Sequence, residues 1–236
     1  MKTTMLQTIL IALVACLPAH AEDHPTESTV RPVGFQEALK RLEEGNARYV
    51  AAKPEHPHES TDWRHTLEMG QHPFAVVIGC SDSRVIPELI FDQGLGDLFV
   101  IRVAGNVVDT DVAASVEYAV DHLGTQLVVV LGHSHCGAVT ATIDHFFDVE
   151  GEPAEVVSLL NMIEPAIMGV PKELPREERI ELTVSRNVEL AVRRLSRIPD
   201  LHRNIVAGNV KVVGAVYDMH TGKVDMADQV VSSPRK

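Results

Sequence analysis

Aromatic residues are scarce in this chain of 236 residues. They make up only 4% of it, so aliphatic side chains must fill the core. Basic residues are also in deficit, with 21 Lys and Arg against 33 Asp and Glu and a formal net charge of −12. A nucleic-acid partner needs clustered basic residues and is therefore not expected. Apolar runs of membrane-spanning length are missing too, which argues against a membrane span.

The first 21 residues have the features of a secretory signal peptide. Lys2 supplies positive charge, residues 9–17 form a short apolar run, and residues 19–21 read Ala-His-Ala, a cleavage site of the small-x-small type. We therefore expect the mature chain to begin at Glu22. Export through such a signal indicates the periplasm of a bacterium with an outer membrane.

Cysteines are few, and export changes how they are interpreted. An alternative reading of the N-terminus is a lipoprotein box at residues 13–16, in which Cys16 would be lipidated and become the first residue. Cys16 is removed or lipidated in either case, so Cys80 and Cys136 remain. Two cysteines in an exported protein ordinarily suggest a disulfide, which is one hypothesis for this pair.

The remaining sequence predicts a flexible leader over residues 22–34 and one domain over residues 35–236. Its composition, 45% hydrophobic and 23% charged, is that of a folded domain. Four apolar runs are typical of buried parallel strands, namely residues 74–79, 98–103, 127–132 and 210–217. Helical periodicity starts at Phe35, and further helical segments cover residues 112–123, 138–147, 154–168 and 176–197. With an edge strand at 224–226, this alternation predicts an α/β fold: a mostly parallel four- to five-stranded sheet flanked by helices.

Residue types that bind metals follow two of the predicted strands. Cys80 comes directly after the first apolar run, while His133 and Cys136 follow the third. Because functional sites gather at the carboxyl ends of strands in open α/β sheets, we expect these three side chains to meet. Two thiolates and one imidazole suit zinc, and three protein ligands are typical of a catalytic zinc site with a fourth position left open.

Other hypotheses explain fewer of these residues. A disulfide accounts neither for His133 nor for the charged residues Asp82 and Arg84 at a buried strand end. A hydrolase with Cys80 as nucleophile and His133 as base is a second enzyme class, which metal analysis would separate from the first. A non-enzymatic zinc or bicarbonate sensor is the third possibility, and a turnover assay would decide it.

Two motifs resemble those of the β-class carbonic anhydrases: Cys-Ser-Asp-Ser-Arg at residues 80–84 and Gly-His-Ser-His-Cys-Gly at residues 132–137. The resemblance implies one Zn²⁺ per subunit, held by Cys80, His133 and Cys136. It implies a zinc lyase that reversibly hydrates carbon dioxide to bicarbonate and a proton through a zinc-bound hydroxide. Related zinc hydrolases of carbonyl sulfide or carbon disulfide share such a site and are the alternative.

The resemblance also implies roles for charged and polar neighbours of the zinc ligands. Asp82 would orient the hydroxide, or become a fourth zinc ligand in a closed state, and Arg84 would hold Asp82 off the metal. Gln71 matches a substrate-binding residue of the subclass whose site is always open. Val77 stands where the bicarbonate-regulated subclass has a Trp, so the open subclass is expected.

By the same resemblance, Phe99, Tyr118, Val85 and Gly137 would line the carbon dioxide pocket with Gln71, some of them from a partner subunit. The family's unit is an intertwined homodimer, often paired into a homotetramer, with the N-terminal helical arm packed on the partner. His135 lies between two of the expected ligands and is a candidate proton shuttle.

Overall fold

The structure is a computed structural model that describes residues 32–148 and 152–227. The predicted signal peptide, Cys16 and most of the predicted leader lie outside the described residues. Among the helices of the described part, none combines the length and the apolar character needed to cross a membrane. The division into a leader and one domain stays a prediction.

Five strands and eight helices make up the described part. The strands are β1 (Ala75–Gly79), β2 (Leu98–Arg102), β3 (Leu127–His133), β4 (Lys211–Tyr217) and β5 (Val224–Ala227). The helices are α1 (Phe35–Val50), α2 (Thr61–Thr66), α3 (Pro87–Ile90), α4 (Thr110–Leu123), α5 (Gly137–Asp148), α6 (Ala154–Ile167), α7 (Arg176–Leu195) and α8 (Pro199–Val206). One 3₁₀ turn, Ala104–Asn106, follows β2.

The sheet has the order β2-β1-β3-β4-β5, and only β5 runs antiparallel to its neighbour. The predicted fold class is therefore confirmed. Two short helices, α3 and α8, were not predicted. Each has a proline in its first turn, where the missing N–H costs nothing, and both are too short to show helical periodicity.

Both faces of the sheet are covered, but by different numbers of helices. Alternate side chains of β1, β3 and β4 pack against α4, α7 and α8 on one face. The other face packs against α1 and α3. A side chain at Gly45 would place its Cβ only 1.8 Å from the carbonyl oxygen of Phe91, so the glycine permits the close approach of α1 to α3. Helix α1 thus packs on its own chain, and its packing on a partner subunit stays a prediction.

The parallel pairing of β1 with β3 determines where the expected metal ligands lie. In this register Ile78 is opposite Val130, so the two strands end at the same edge of the sheet. Cys80 follows the last residue of β1, and His133 is itself the last residue of β3 rather than the first loop residue. Beneath them lies a third apolar cluster built mainly from α5, α6 and α7.

Candidate metal centre

Cys80, His133 and Cys136 converge at this edge. Their three ligand atoms all lie within 4.8 Å of one another. All three residues are buried, and both cysteines are free thiols. The convergence that the sequence predicted is present, and the disulfide hypothesis is not realised in the structure.

His133 presents one ring nitrogen to the two sulfurs. Its Nδ1 lies 2.9 Å from the carbonyl oxygen of Ser134, and a ring nitrogen bonded to a carbonyl must carry the proton. Its Nε2 is therefore the nitrogen with a free lone pair. That atom is buried and has no hydrogen-bond partner among the described residues, which is costly unless a metal ion occupies the lone pair.

The pKa values of the two thiols are shifted in opposite directions. A hydrogen bond from Cys136 lowers the pKa of Cys80 despite burial, with help from the backbone N–H groups of Asp82 and Gly105. The same bond to Cys80, together with burial, raises the pKa of Cys136. Cys136 immediately precedes α5, whose N-terminal N–H groups favour a thiolate. The surroundings of the pair therefore favour a thiolate at Cys80 over a thiolate at Cys136.

These residues fit a zinc ion. The donor set consists of two sulfurs and one imidazole nitrogen, all buried and already close together. Soft donors of this kind select zinc over magnesium or calcium, which require oxygen ligands. Three protein ligands leave one coordination position open for chemistry.

Asp82 and Arg84 form a bidentate pair beside this cluster. Nε of Arg84 donates to Oδ1 of Asp82 at 2.9 Å, and Nη2 donates to Oδ2 at 2.7 Å. The backbone N–H of Arg84 adds a third bond, to Oδ1 at 3.0 Å. These hydrogen bonds hold the pKa of Asp82 well below its usual range, so it is a carboxylate at any physiological pH.

Arg102, the last residue of β2, binds the backbone of the loop that contains Cys80 and Asp82. Its Nε donates to the carbonyl of Cys80 at 3.0 Å, and its Nη2 donates to the carbonyl of Asp82 at 2.7 Å. Sequence reasoning missed this positioning role, because nothing in the spacing shows that residue 102 reaches carbonyls twenty positions earlier. An arginine that ends a strand next to a motif loop is the only sequence signal for it.

A second missed connection reaches the sulfur of Cys80. The N–H of Gly105 donates to it at 3.3 Å, and the carbonyl of Gly105 accepts a bond of 2.7 Å from the side chain of Asn187. Asn187 stands on the buried, mostly apolar face of α7, one turn after the buried Thr183. A lone amide at that spacing was the available signal.

The residues predicted to line the carbon dioxide pocket lie in different surroundings. Phe99 and Tyr118 contact each other, with ring centroids 6.4 Å apart, and Tyr118 is 49% exposed. Val85 is buried in the core on the α1 and α3 face. Gln71 is exposed, and within the described residues its side chain makes no hydrogen bond. A side chain at Gly137 would meet open space. Their substrate-binding roles stay predictions.

His135 lies at the surface of the site. Its Nδ1 is 3.9 Å from a carboxylate oxygen of Glu177 at the start of α7, and its backbone is left-handed, with φ of 55°. The left-handed backbone directs the chain from the strand end back into α5. Its role as a proton shuttle stays a prediction.

Comparison with known proteins gives one family. The sequence profile of a family described as carbonic anhydrase matches residues 75–224. "Carbonic anhydrase 2" of Mycobacterium tuberculosis is 41% identical over 195 residues, which cover 82% of this chain and 93% of that protein.

Solved structures agree with the sequence comparison. The β-carbonic anhydrase CcaA superposes with a TM-score of 0.68 at 28% identity, covering 86% of this chain and 92% of that one. A tetrameric β-carbonic anhydrase of Sordaria macrospora gives a TM-score of 0.63 at 26% identity, with 83% and 97% covered.

Proposed function

The chain belongs to the β-class carbonic anhydrase family and is a carbonic anhydrase, and from this premise we propose how its residues hydrate carbon dioxide. Zinc, one ion per subunit, would be held by Cys80, His133 and Cys136. The observation that carries this assignment is the convergence of their ligand atoms within 4.8 Å around an unpartnered imidazole nitrogen. When bound, zinc lowers the pKa of a coordinated water from 15.7 to about 7 and so supplies a nucleophile at neutral pH.

Asp82 orients this nucleophile. Each of its oxygens is engaged by Arg84, but a carboxylate has about four acceptor sites, so it can still accept a further hydrogen bond. Because the pKa of Asp82 is held low, its carboxylate accepts a hydrogen bond from the O–H of the nucleophile but does not take up the proton. The proton leaves by another route, for which His135 and solvent are the candidates.

Arg84 keeps Asp82 in this position. Without the bidentate pair, the carboxylate would be free to take the open coordination position and block the reaction. The pair is formed in the structure, which supports assignment to the subclass with a permanently open site. Val77 at the position of the regulatory Trp supports the same assignment.

Carbon dioxide is small and apolar, so the rest of its pocket needs little polarity. We place Gly137, Val85 and Gln71 in this pocket, with Phe99 and Tyr118 contributed across a subunit interface. The exposure of the Tyr118 ring, and its contact with Phe99 on an edge strand, support an interface there.

A homodimer or homotetramer is the assembly we propose. The Sordaria macrospora relative is described as tetrameric. In this chain β2 is an edge strand whose apolar residues 98–101 are only half buried. An apolar strand with one unpaired edge favours pairing with another copy. Light scattering of the purified protein measures the assembly.

Export to the periplasm rests on the N-terminal sequence alone. Ala-His-Ala at residues 19–21 supports cleavage before Glu22, whereas the lipoprotein reading makes Cys16 the first residue. Mass spectrometry of the mature N-terminus separates the two.

A stopped-flow assay of carbon dioxide hydration on the purified mature protein, with its zinc content measured, tests the proposed function. We expect about one zinc per chain, loss of activity when a chelator removes it, and recovery on adding zinc with a thiol reductant. Turnover without metal would refute the zinc role and favour Cys80 as nucleophile. Hydrolysis of carbonyl sulfide or carbon disulfide, with no hydration of carbon dioxide, would favour the alternative substrates.

A further inference from the structure

Asn187 is a buried amide on the apolar face of α7. It is only 2% exposed, and Val184 and Ala191, one turn away on either side, are buried and apolar. A buried polar side chain on such a face needs a partner, because an unsatisfied amide costs about 1–3 kcal/mol. The partner of Asn187 is the carbonyl of Gly105, at 2.7 Å.

Gly105 connects Asn187 to the metal centre. Its backbone is left-handed, with φ of 66°, and a Cβ on it would lie 2.6 Å from the side chain of Ile163. Only glycine fits this conformation and this space. Its N–H donates to the sulfur of Cys80 at 3.3 Å, in a buried contact. Asn187 therefore binds the carbonyl of Gly105, while the sulfur of Cys80 accepts a hydrogen bond from the N–H of the same glycine.

Gly105 lies in a single 3₁₀ turn, where one residue's backbone can rotate more easily than in a helix or strand. Its carbonyl is held by Asn187 from a different element, α7. The carbonyl and the N–H of Gly105 belong to the two peptide planes that meet at its Cα. Holding the carbonyl plane therefore restrains the backbone rotations that would turn the N–H away from the sulfur.

We propose that Asn187 is a positioning residue that keeps the N–H of Gly105 directed at the Cys80 thiolate. The hydrogen bond withdraws electron density from the sulfur, so Asn187 acts on the metal through Gly105 without touching the ion. Such partners of metal ligands typically change metal affinity or activity about 10- to 100-fold. The inference rests on the proposed zinc site and adds a residue to it.

A purely structural role for Asn187 makes a different prediction. Loss of a buried hydrogen bond would lower the free energy of unfolding but would leave the sulfur unchanged. Thr183 provides the matched control. It is fully buried one turn earlier on α7, and its hydroxyl donates to the carbonyl of Arg179 within the same helix, at 2.7 Å. Thr183→Val therefore removes a buried hydrogen bond on this helix that does not lead to Gly105.

Cobalt substitution measures the sulfur directly. In full-length Asn187→Leu with Co²⁺ in place of zinc, we expect the sulfur-to-cobalt charge-transfer band to move to lower energy, because a thiolate without its N–H donor is more electron-rich. Zinc affinity, measured by chelator competition, should fall at least about tenfold. Hydrogen exchange at the Gly105 amide should become faster. Thr183→Val should change none of the three.

Each outcome decides between the readings. A band and a zinc affinity equal to those of the unsubstituted protein, or equal changes in Thr183→Val, would overturn the role of Asn187. Asn187→Ser, a smaller change, provides the same measurements if the leucine variant does not fold. Failure of the unsubstituted protein to bind Co²⁺ or zinc would refute the proposed zinc site itself.

Discussion

Two Asp–Arg pairs lie in different regions of this molecule and differ in their contacts. In the site loop, Arg84 donates two bonds to Asp82 from two residues away. At the junction of α1 with the end of α3, Arg48 donates to Asp92 at 2.5 Å from 44 residues away. The arginine is 57% exposed in the first pair and 27% exposed in the second.

The difference lies in what else each carboxylate binds. Asp92 also accepts from the backbone N–H groups of Glu55 and His56, at 3.0–3.2 Å, and its side chain is 1% exposed. Burial alone would raise its pKa, but these N–H groups and Arg48 outweigh burial and lower it. Asp92 thus joins α1, the loop after it and α3, which is a stabilising role.

Among the described residues, no distant backbone N–H donates to the carboxylate of Asp82. The hydrogen bonds to its carboxylate come from Arg84, within the same loop. The arginine of this pair is exposed to solvent, and an ion pair between near neighbours that is open to solvent on one side contributes little to the free energy of unfolding. This difference supports the catalytic role that we propose for the pair at Asp82, whereas the contacts of Asp92 stabilise the fold.

The largest expected effect is on activity, in Arg84→Ala. Asp82 is then released toward the metal, and kcat/KM for hydration should fall at least about 100-fold. The free energy of unfolding should change by less than about 1 kcal/mol, because the Arg84 side chain is exposed to solvent. Stopped-flow assays measure kcat/KM, and urea unfolding measures the free energy of unfolding.

Arg193→Ala, which removes an exposed pair with Glu189, is the control and should keep full activity. Hydration by Arg84→Ala within twofold of the parent would refute the role of the pair.

Asp92→Asn should give the opposite result. The amide fits the same space and tolerates the positive φ of 46° at this position, but it removes the charge that binds Arg48. We expect a loss of about 2 kcal/mol in the free energy of unfolding, typical of a hydrogen bond to a charged group. The kcat of the folded, zinc-loaded variant should stay unchanged. A stable variant with reduced kcat would reverse the assignment of the two pairs.

The pH dependence sharpens the comparison further. The pKa of Asp92 is lower in the folded than in the unfolded state, so its contribution is complete above about pH 5 and is lost as the pH falls below about 4. The difference in unfolding free energy between the parent and Asp92→Asn should therefore shrink as the pH is lowered from 6 to 3. Urea unfolding across this range measures it. A constant difference would show that the negative charge of Asp92 is not what stabilises the junction.

The smallest effect is expected for a third pair. Arg41 and Glu37 lie one turn apart on α1, at 3.0 Å, and both side chains are about half exposed. Glu37→Gln should change the free energy of unfolding by no more than about 0.5 kcal/mol and should leave activity unchanged. A larger loss would mean that exposure does not separate these pairs, and the comparison would fail.

Much of the fold was predictable because the buried strands are continuous apolar runs. Residues 127–132 predicted β3, and the strand extends by one residue to include His133. Helices α3 and α8 were missed because four and eight residues are too few to show a period. Their prolines were the only local signal.

The site likewise contains residues that the sequence predicted and one that it did not. Cys80, His133 and Cys136 were predictable because each follows or ends an apolar run, and parallel strands end at one edge. The connection of Asn187 to the site was not predictable, because it runs through Gly105, which lies 82 residues away in a turn without regular periodicity.

By itself, the sequence determined the α/β class, the metal-binding residue types and the acidic surface, because residue type and spacing carry that information locally. Only the tertiary structure decided which of two Asp–Arg pairs is buried, which N–H reaches the sulfur of Cys80 and which nitrogen of His133 is free. The physical reason is that burial and hydrogen bonding depend on what long-range packing brings together. A carboxylate next to a backbone N–H from another element differs from the same carboxylate in solvent, and no local pattern distinguishes the two.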